Sequence, residues 1–433
     1  MATATSSTQP HTLPGPETVT RVELENGIIV LVRENFMSPS VVVEGALRSG
    51  ALLEPTEKAG LASFHSSMVT RGTENYTFDE LYEEIESNGA SLSVGSGRHT
   101  TTFGSKSLAE DLKLMLTLQA DVLRRPTLPQ EQIEKVRGQK LTNLQLRAYN
   151  TRAMASLTFA ELAYPNHPFA TSSSGYMETV QAISRDDLLA HQKTLGPRGA
   201  IIVIVGAVQA EHAIDLVRET FGDWTNPDQP DAPLAPDAAP LTEKTKKMVP
   251  IPGKSQSDIV MGVPGPRRNA PDYQAARMAN SILGVFGLMG RLGDSVREQQ
   301  GLAYYSYSRL NGGLGPGAWS ISAGVAPENV EQAVDSIEAE IRSMVEQPVS
   351  AEELADNHSF FKGQLQLGLE TNDGVAGTLF NMELYDLGLD YLLNYEAMID
   401  AVSIEAIRAA AAQYLNPDAY ALAIAGPGQA DES

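Results

Sequence analysis

The order of hydrophobic and polar positions along the chain predicts many short elements, in which patterns of period two alternate with patterns of helical period. Residues 21–33, R-V-E-L-E-N-G-I-I-V-L-V-R, predict two strands about an Asn26-Gly27 turn, and S-V-V-V-E-G-A-L-R-S at 40–49 predicts another. A helix is predicted over about 58–68 and a second over 77–88, with Thr77 as its cap and Glu80 at the third helical position. Residues 91–105 alternate as strand. Helices are predicted over 108–124 and, as one long rod, from Pro129 to about 162. I-I-V-I-V-G at 201–206 reads as a buried strand, and 210–221 as a helix.

From Thr225 the periodicity stops. N-P-D-Q-P-D-A-P-L-A-P-D-A-A-P can form neither a helix interior nor a central strand, and it divides the chain almost in half. The halves resemble each other. L-G-P-R-G-A-I-I-V-I-V-G from Leu195 matches L-N-P-D-A-Y-A-L-A-I-A-G from Leu415, and I-S-R-D-D-L from Ile183 matches V-S-I-E-A-I from Val402. E-Q-I from Glu131 falls opposite E-E-L from Glu352, and A-E-D-L from Ala109 opposite P-E-N-V from Pro327. So constant an offset predicts two copies of one unit. The expected organisation is an N-terminal arm over 1–20, a first domain over 21–224, a linker over 225–244 and a second domain over 245–427.

Within the second copy, Ile282, Leu283, Phe286 and Met289 recur at helical intervals broken by Gly284, Gly287, Gly290 and Gly293. The pattern predicts one or two closely packed helical pieces ending near Gly301, then a strand from Leu302 to Ser308. Arg297 falls on the last helical turns and Tyr304 on the strand. A guanidinium fork and a phenol hydroxyl so placed can hold a carbonyl or carboxylate against a sheet. They can equally brace a helix end, with Glu298 or Asp294 as the arginine's partner.

Composition narrows the function classes. Thirty-two Lys and Arg against 54 Asp and Glu leave a formal charge of -22, which repels nucleic-acid phosphates and anionic lipid and removes both as partners. The absence of cysteine excludes disulfides, thiolate metal sites and thiol nucleophiles. The N-terminal residues show no secretory signal pattern and no apolar run is long enough to span a membrane, so a cytoplasmic protein is expected. G-V-F-G-L-M-G at 284–290 lacks the order and the Lys-Ser/Thr ending of a phosphate loop. K-T-K-K at 244–247 reads as a solvated linker end. The histidines at 11, 99, 167, 191, 212 and 358 have no ligand spacing and read as surface or satisfied core residues. His65 reads as partly exposed or cap-bonded.

The helix at 59–73, A-G-L-A-S-F-H-S-S-M-V-T-R-G-T, resembles the zinc metallopeptidase family M16, the inverzincins that include mitochondrial processing peptidase and insulin-degrading enzyme. Gly60, Leu61, Ala62, Phe64, Met68, Gly72 and Thr73 match the frame of its H-x-x-E-H motif. By that resemblance the first zinc histidine falls on Ser63, the catalytic glutamate on Ser66, the second histidine on Ser67 and the distal glutamate ligand on Asn143. Neutral hydroxyls and an amide are weak donors to Zn²⁺, so no metal is expected in this chain. V-R-E-Q-Q-G-L-A-Y at 296–304 is similar to the family's C-terminal frame, which implies that Arg297 and Tyr304 bind substrate backbone and stabilise an oxyanion.

The resemblance implies an α+β fold of two tandem homologous domains, each a mostly antiparallel sheet with helices packed on one face, the M16 peptidase or LuxS-like fold. It also implies a non-catalytic subunit that pairs with a homologous chain carrying H-x-x-E-H and the zinc, acts on peptides or unfolded segments, and can form a homodimer when isolated. The alternative is a self-associating or scaffold protein of the same fold with no part in proteolysis.

Overall fold

The structure, a computed structural model, describes residues 13–427; residues 1–12, which hold most of the expected N-terminal arm and His11, lie outside the described residues. The first half runs β1 (Thr20–Glu23), β2 (Ile29–Glu34), β3 (Ser40–Leu47), α1 (Leu61–Met68), α2 (Phe78–Ser87), β4 (Ser91–Ser96), β5 (Thr101–Leu108), α3 (Leu112–Arg124), α4 (Gln130–Ala148), α5 (Thr151–Ala163), α6 (Met177–Ala182), α7 (Arg185–Gln192), β6 (Ile201–Gly206) and α8 (Ala210–Phe221). The second runs β7 (Thr245–Pro250), β8 (Ser257–Pro264), α9 (Tyr273–Gly284), the broken α10 (Phe286–Leu292), a π-helical turn over Gly293–Gln299, β9 (Ala303–Leu310), β10 (Ala318–Val325), α11 (Val330–Glu346), α12 (Ala351–Gly368), α13 (Asn372–Leu384), α14 (Tyr395–Asp400), α15 (Ile404–Tyr414) and β11 (Ala421–Gly426).

The sheets repeat one topology. Their orders are β1-β2-β6-β3-β5-β4 and β7-β11-β8-β10-β9, antiparallel except for the β2–β6 and β11–β7 pairs. Strand β9 is therefore one edge of the second sheet, as β4 is of the first. Thr77 and Glu80 form the capping box read from the sequence, and Gly27 takes φ +86 in the β1–β2 turn. The K-T-K-K run is not a linker end. Lys244 precedes edge strand β7 and pairs with Glu338, while Lys246 and Lys247 lie on the strand, Lys247 pairing with Glu161, and lysines on an edge discourage further strand pairing.

Two corrections concern how the sheets are covered. The expected single helix over 129–162 is broken at Tyr149-Asn150, and the Asn150 side chain accepts from the Ala153 N–H at 2.9 Å to start α5 afresh. The break sends α5 out of its own half. Ala155 and Phe159 of α5 pack on Ala421, Ala423, Ala425 and Val260 of the second sheet, while Ala376, Leu379 and Met382 of α13 pack on Ile201, Val203, Val205 and Val42 of the first. Each sheet thus has helices on both faces rather than on one. Its outer face meets its own half's helices, as when Ile202 and Ile204 pack with Leu116 of α3 and Val217 of α8. Its inner face meets a helix lent by the other half. This explains why β6 and β11 are buried at every position.

Candidate functional site

Helix α1 opens at Gly60, whose φ of +95 places its Cα where an added Cβ would lie 2.9 Å from the Gly175 Cα and the Ser174 carbonyl oxygen. Glycine offers no capping side chain, and Glu54 supplies one from outside the helix. Its two carboxylate oxygens accept from the Gly60 N–H at 3.0 Å and the Ala62 N–H at 2.8 Å. Burial nevertheless raises the Glu54 pKa, because desolvation outweighs those two bonds.

The three serines on α1 are turned to internal work. Ser66 and Ser67 donate to the Ser63 carbonyl oxygen at 3.1 and 2.9 Å. Lys140 of α4, which sequence reasoning did not single out, donates through Nζ to the same carbonyl at 2.9 Å and to Ser63 Oγ at 3.0 Å. Burial lowers its pKa from 10.5 to about 8, so the amine still carries its proton at neutral pH. Asn143, less than a turn further along α4, is exposed. These groups do not fit zinc. The oxygens are neutral, the three serine hydroxyls already make hydrogen bonds, an ammonium sits on the first position, and no group of three His, Asp or Glu suited to a metal occurs among the described residues.

His65 departs from its expected place. It is fully buried on α1, with Nε2 2.7 Å from Gln192 Oε1 and its ring 5.0 Å from that of His191. Burial, reinforced by His191, lowers its pKa to about 3, and burial lowers that of His191 to about 4. Both rings are therefore neutral at pH 7 and packed in the core.

In the second half, glycines set the approach of α9 and α10 to the edge strand. A Cβ on Gly284 would meet the Ser308 N at 2.3 Å, and one on Gly290 the Ile282 carbonyl oxygen at 2.4 Å. Gly287, Met289 and Gly290 all take positive φ, which breaks the helix and reverses the chain into the π-helical turn that carries Arg297. Gly301, at φ +64, ends that turn: its N–H donates to the Arg297 carbonyl oxygen, and the Leu302 N–H to that of Val296, each at 3.0 Å. Tyr304 follows at the start of β9.

Arg297 makes a loose 3.6 Å ion pair with Glu298 and stays about a third exposed. The Tyr304 side chain is 84% exposed, and its hydroxyl has no hydrogen-bond partner among the described residues. The next residue faces the other way. Tyr305 donates its hydroxyl to the buried Asp258, which also accepts from Thr151 of α5, and Arg152 of α5 donates to the Tyr305 oxygen at 3.1 Å. The helix lent by the first half thereby anchors the strand on which Tyr304 stands. No hydrogen bond or ion pair joins the α1 serines to Arg297 or Tyr304 among the described residues.

The family description "Insulinase (Peptidase family M16)" matches residues 30–174, and "Peptidase M16 inactive domain" matches residues 182–357. An uncharacterized zinc protease of Mycobacterium leprae is 26% identical over 413 residues, 94% of this chain and 92% of that protein. Mitochondrial-processing peptidase subunit beta of Pongo abelii is 25% identical over 417 residues, 93% of this chain and 83% of that protein. A solved peptidase M16 inactive domain from Pseudomonas fluorescens shares the fold with a TM-score of 0.88 at 23% identity, over 96% of this chain and all of that one. With matches in both halves and one topology repeated across them, the chain belongs to peptidase family M16.

Proposed function

We propose that this chain is the non-catalytic, substrate-binding subunit of a heteromeric zinc endopeptidase, and that Arg297 and Tyr304 complete a zinc site held by a homologous partner with H-x-x-E-H. The observation that carries the reading is the contrast between its two sites. Every hydroxyl at the zinc-site positions is spent on its own helix or on Lys140, whereas the Tyr304 hydroxyl is exposed and unspent. The similarity to the beta subunit of mitochondrial-processing peptidase, by its name one part of a peptidase, supports a partnered role.

A zinc ion held by the partner's H-x-x-E-H would supply the activated water that serves as nucleophile. This chain's part is electrostatic. When the carbonyl oxygen of an extended peptide gains negative charge, the Tyr304 hydroxyl and the Arg297 N–H groups meet it, and each such donor in a cleft closed to water contributes about 3 kcal/mol to the transition state. Both groups address the backbone, so they act on peptides or unfolded segments without choosing side chains.

The test is mixing. Each chain alone should be inactive on a quenched peptide, and the stoichiometric mixture should hydrolyse it. A partner as active alone as in the mixture would refute the proposal. A complex that assembles but hydrolyses nothing would make this chain a scaffold instead.

A further inference from the structure

The second half holds a cavity of about 700 Å³ that the peptidase reading does not use, lined by residues of α9, α12 and α13 and of the stretch after α13. Its lining includes Arg268, Arg277, Tyr273, Tyr385, Tyr391 and Tyr395 and contains no Asp or Glu. That is unusual for a chain in which 54 acids face 32 Lys and Arg. Neither arginine forms an ion pair among the described residues. Their partners are phenols: Arg268 Nη2 donates to the Tyr391 oxygen and Arg277 Nη1 to the Tyr395 oxygen, each at 2.9 Å.

The donor count can be completed. Tyr391 oxygen also accepts from Gln274 Nε2 at 3.0 Å, so both its lone pairs are engaged and its proton is left to give. Tyr395 likewise accepts and keeps its proton. Arg268 lies over the Tyr273 ring at 4.5 Å and Arg277 over Phe361 at 4.2 Å, which fixes both planes. The cavity therefore presents two oriented guanidinium forks and two hydroxyl protons, with no acceptor of charge among them. Half-buried cations without a counter-ion pay desolvation that a bound anion would offset. The other walls combine apolar surface, from the tyrosine rings, Leu365, Met382, Leu387 and Leu392, with the neutral polar side chains of Gln364, Thr378 and Asn381.

We propose that this cavity binds an organic carboxylate bearing an aromatic or bulky apolar group, with the carboxylate on Arg268 and Arg277 and the hydrocarbon against the tyrosine rings. A fork of guanidinium N–H groups matches the two oxygens of a carboxylate. Two sources share this chemistry, a free aryl carboxylate and the C-terminal residue of a peptide.

The experiment is calorimetric titration of the full chain with 3-phenylpropionate, with acetyl-Ala-Ala-Phe bearing a free C-terminus, and with its C-terminal amide. Saturable binding of either acid, with the amide at least roughly tenfold weaker, is the expected result. Binding of the small acid alone identifies a metabolite-like ligand; binding of the peptide acid alone identifies a chain terminus. Arg268→Gln should weaken binding at least roughly tenfold. Leu367→Glu on the cavity rim, where the side chain is 67% exposed and folding does not depend on it, should do the same by placing a carboxylate there. No saturable binding of either acid up to about 10 mM, an amide that binds as well as the acid, or full affinity in Leu367→Glu would overturn the proposal.

Discussion

Helices α1 and α9 are each the first α-helix after the central strand of their half, yet their surroundings carry opposite chemistry. Around α1 the polar groups close on themselves: two serines and a lysine converge on the Ser63 carbonyl, and a glutamate caps the start. After α9 the glycines bring the chain tightly against edge strand β9 and leave the Tyr304 hydroxyl open. The positions on α1 that align with the family's motif leave no open donors: a part-buried ammonium and backbone-directed hydroxyls occupy them, and Phe64 and Met68 are fully buried beside them. The second half keeps one donor, the Tyr304 hydroxyl, that meets no partner among the described residues, and a second, Arg297, held only by a loose pair with Glu298.

The largest expected effect that separates the halves is acid sensitivity. Six of the seven histidines lie before the linker and only His358 beyond it. His65 and His191 have folded-state pKa values lowered to about 3 and about 4, so the unfolded chain binds more protons than the folded one at acid pH. Stability is complete above the unfolded pKa near 6.5 and falls as the pH drops towards 4, by on the order of 3 kcal/mol at each ring. Urea titrations at pH 7 and pH 4.5 should show this loss, and His65→Gln with His191→Gln should remove most of it. Trp224 and Trp319, one in each half, report the halves separately. An unchanged acid loss in the double variant would break the account of the first half.

The two exchanged helices differ next. The seam of α5 holds a buried carboxylate with three side-chain donors, from Thr151, Tyr305 and Gln256. The seam of α13 uses the neutral Asn372, which accepts from Asn35 at 2.7 Å and donates to the Ser40 carbonyl at 3.2 Å. Removing the Asp258 acceptor strands those donors, so Asp258→Ala should cost about 3 kcal/mol and Asn372→Ala about 1 kcal/mol. Thermal unfolding checks the ratio; equal losses would mean that the charge contributes nothing special.

Much of this was legible in the sequence. The constant offset between the halves, the Asn26-Gly27 turn and the Thr77/Glu80 box depend on local chemistry, and they appear as read. What stayed hidden depends on long-range placement. The Asn150 break looks like one more polar residue on a helix, and only the other half's alanine-faced β11 shows why α5 must leave. Lys140 is one of several charged positions on α4, and its role is set by Ser63 across space. The burial of His65 is not legible locally because the buried face of a short helix is decided by what packs on it, here His191 and Gln192 from α7.

A smaller effect concerns the ammonium. If Ser63→His, Ser66→Glu, Ser67→His and Asn143→Glu restore a ligand set, a dication must still displace the Lys140 proton. From the parent pKa of about 8 that costs at least about 1.4 kcal/mol at pH 7, or roughly tenfold in affinity, because the introduced carboxylates favour the ammonium further. Adding Lys140→Ala should recover this tenfold, and the gap should widen about tenfold for each unit of pH below 7. Zinc titration at two pH values checks it; a gap that does not move with pH would exclude the lysine as the obstacle.

The most direct test of the central claim is steady-state kinetics on the reconstituted pair, with assembly verified by sedimentation. Tyr304→Phe should lower kcat by roughly 10² at unchanged KM, and Arg297→Ala should lower kcat while raising KM, because a guanidinium also holds the ground-state peptide backbone. Tyr304→Phe removes no buried contact and Arg297→Ala only a part-buried stem and its loose pair with Glu298, so assembly should stay as in the parent pair and the melting temperature should move little. Parent values of kcat and KM in both variants, at full assembly, would contradict the account and leave the second half without a part in the reaction.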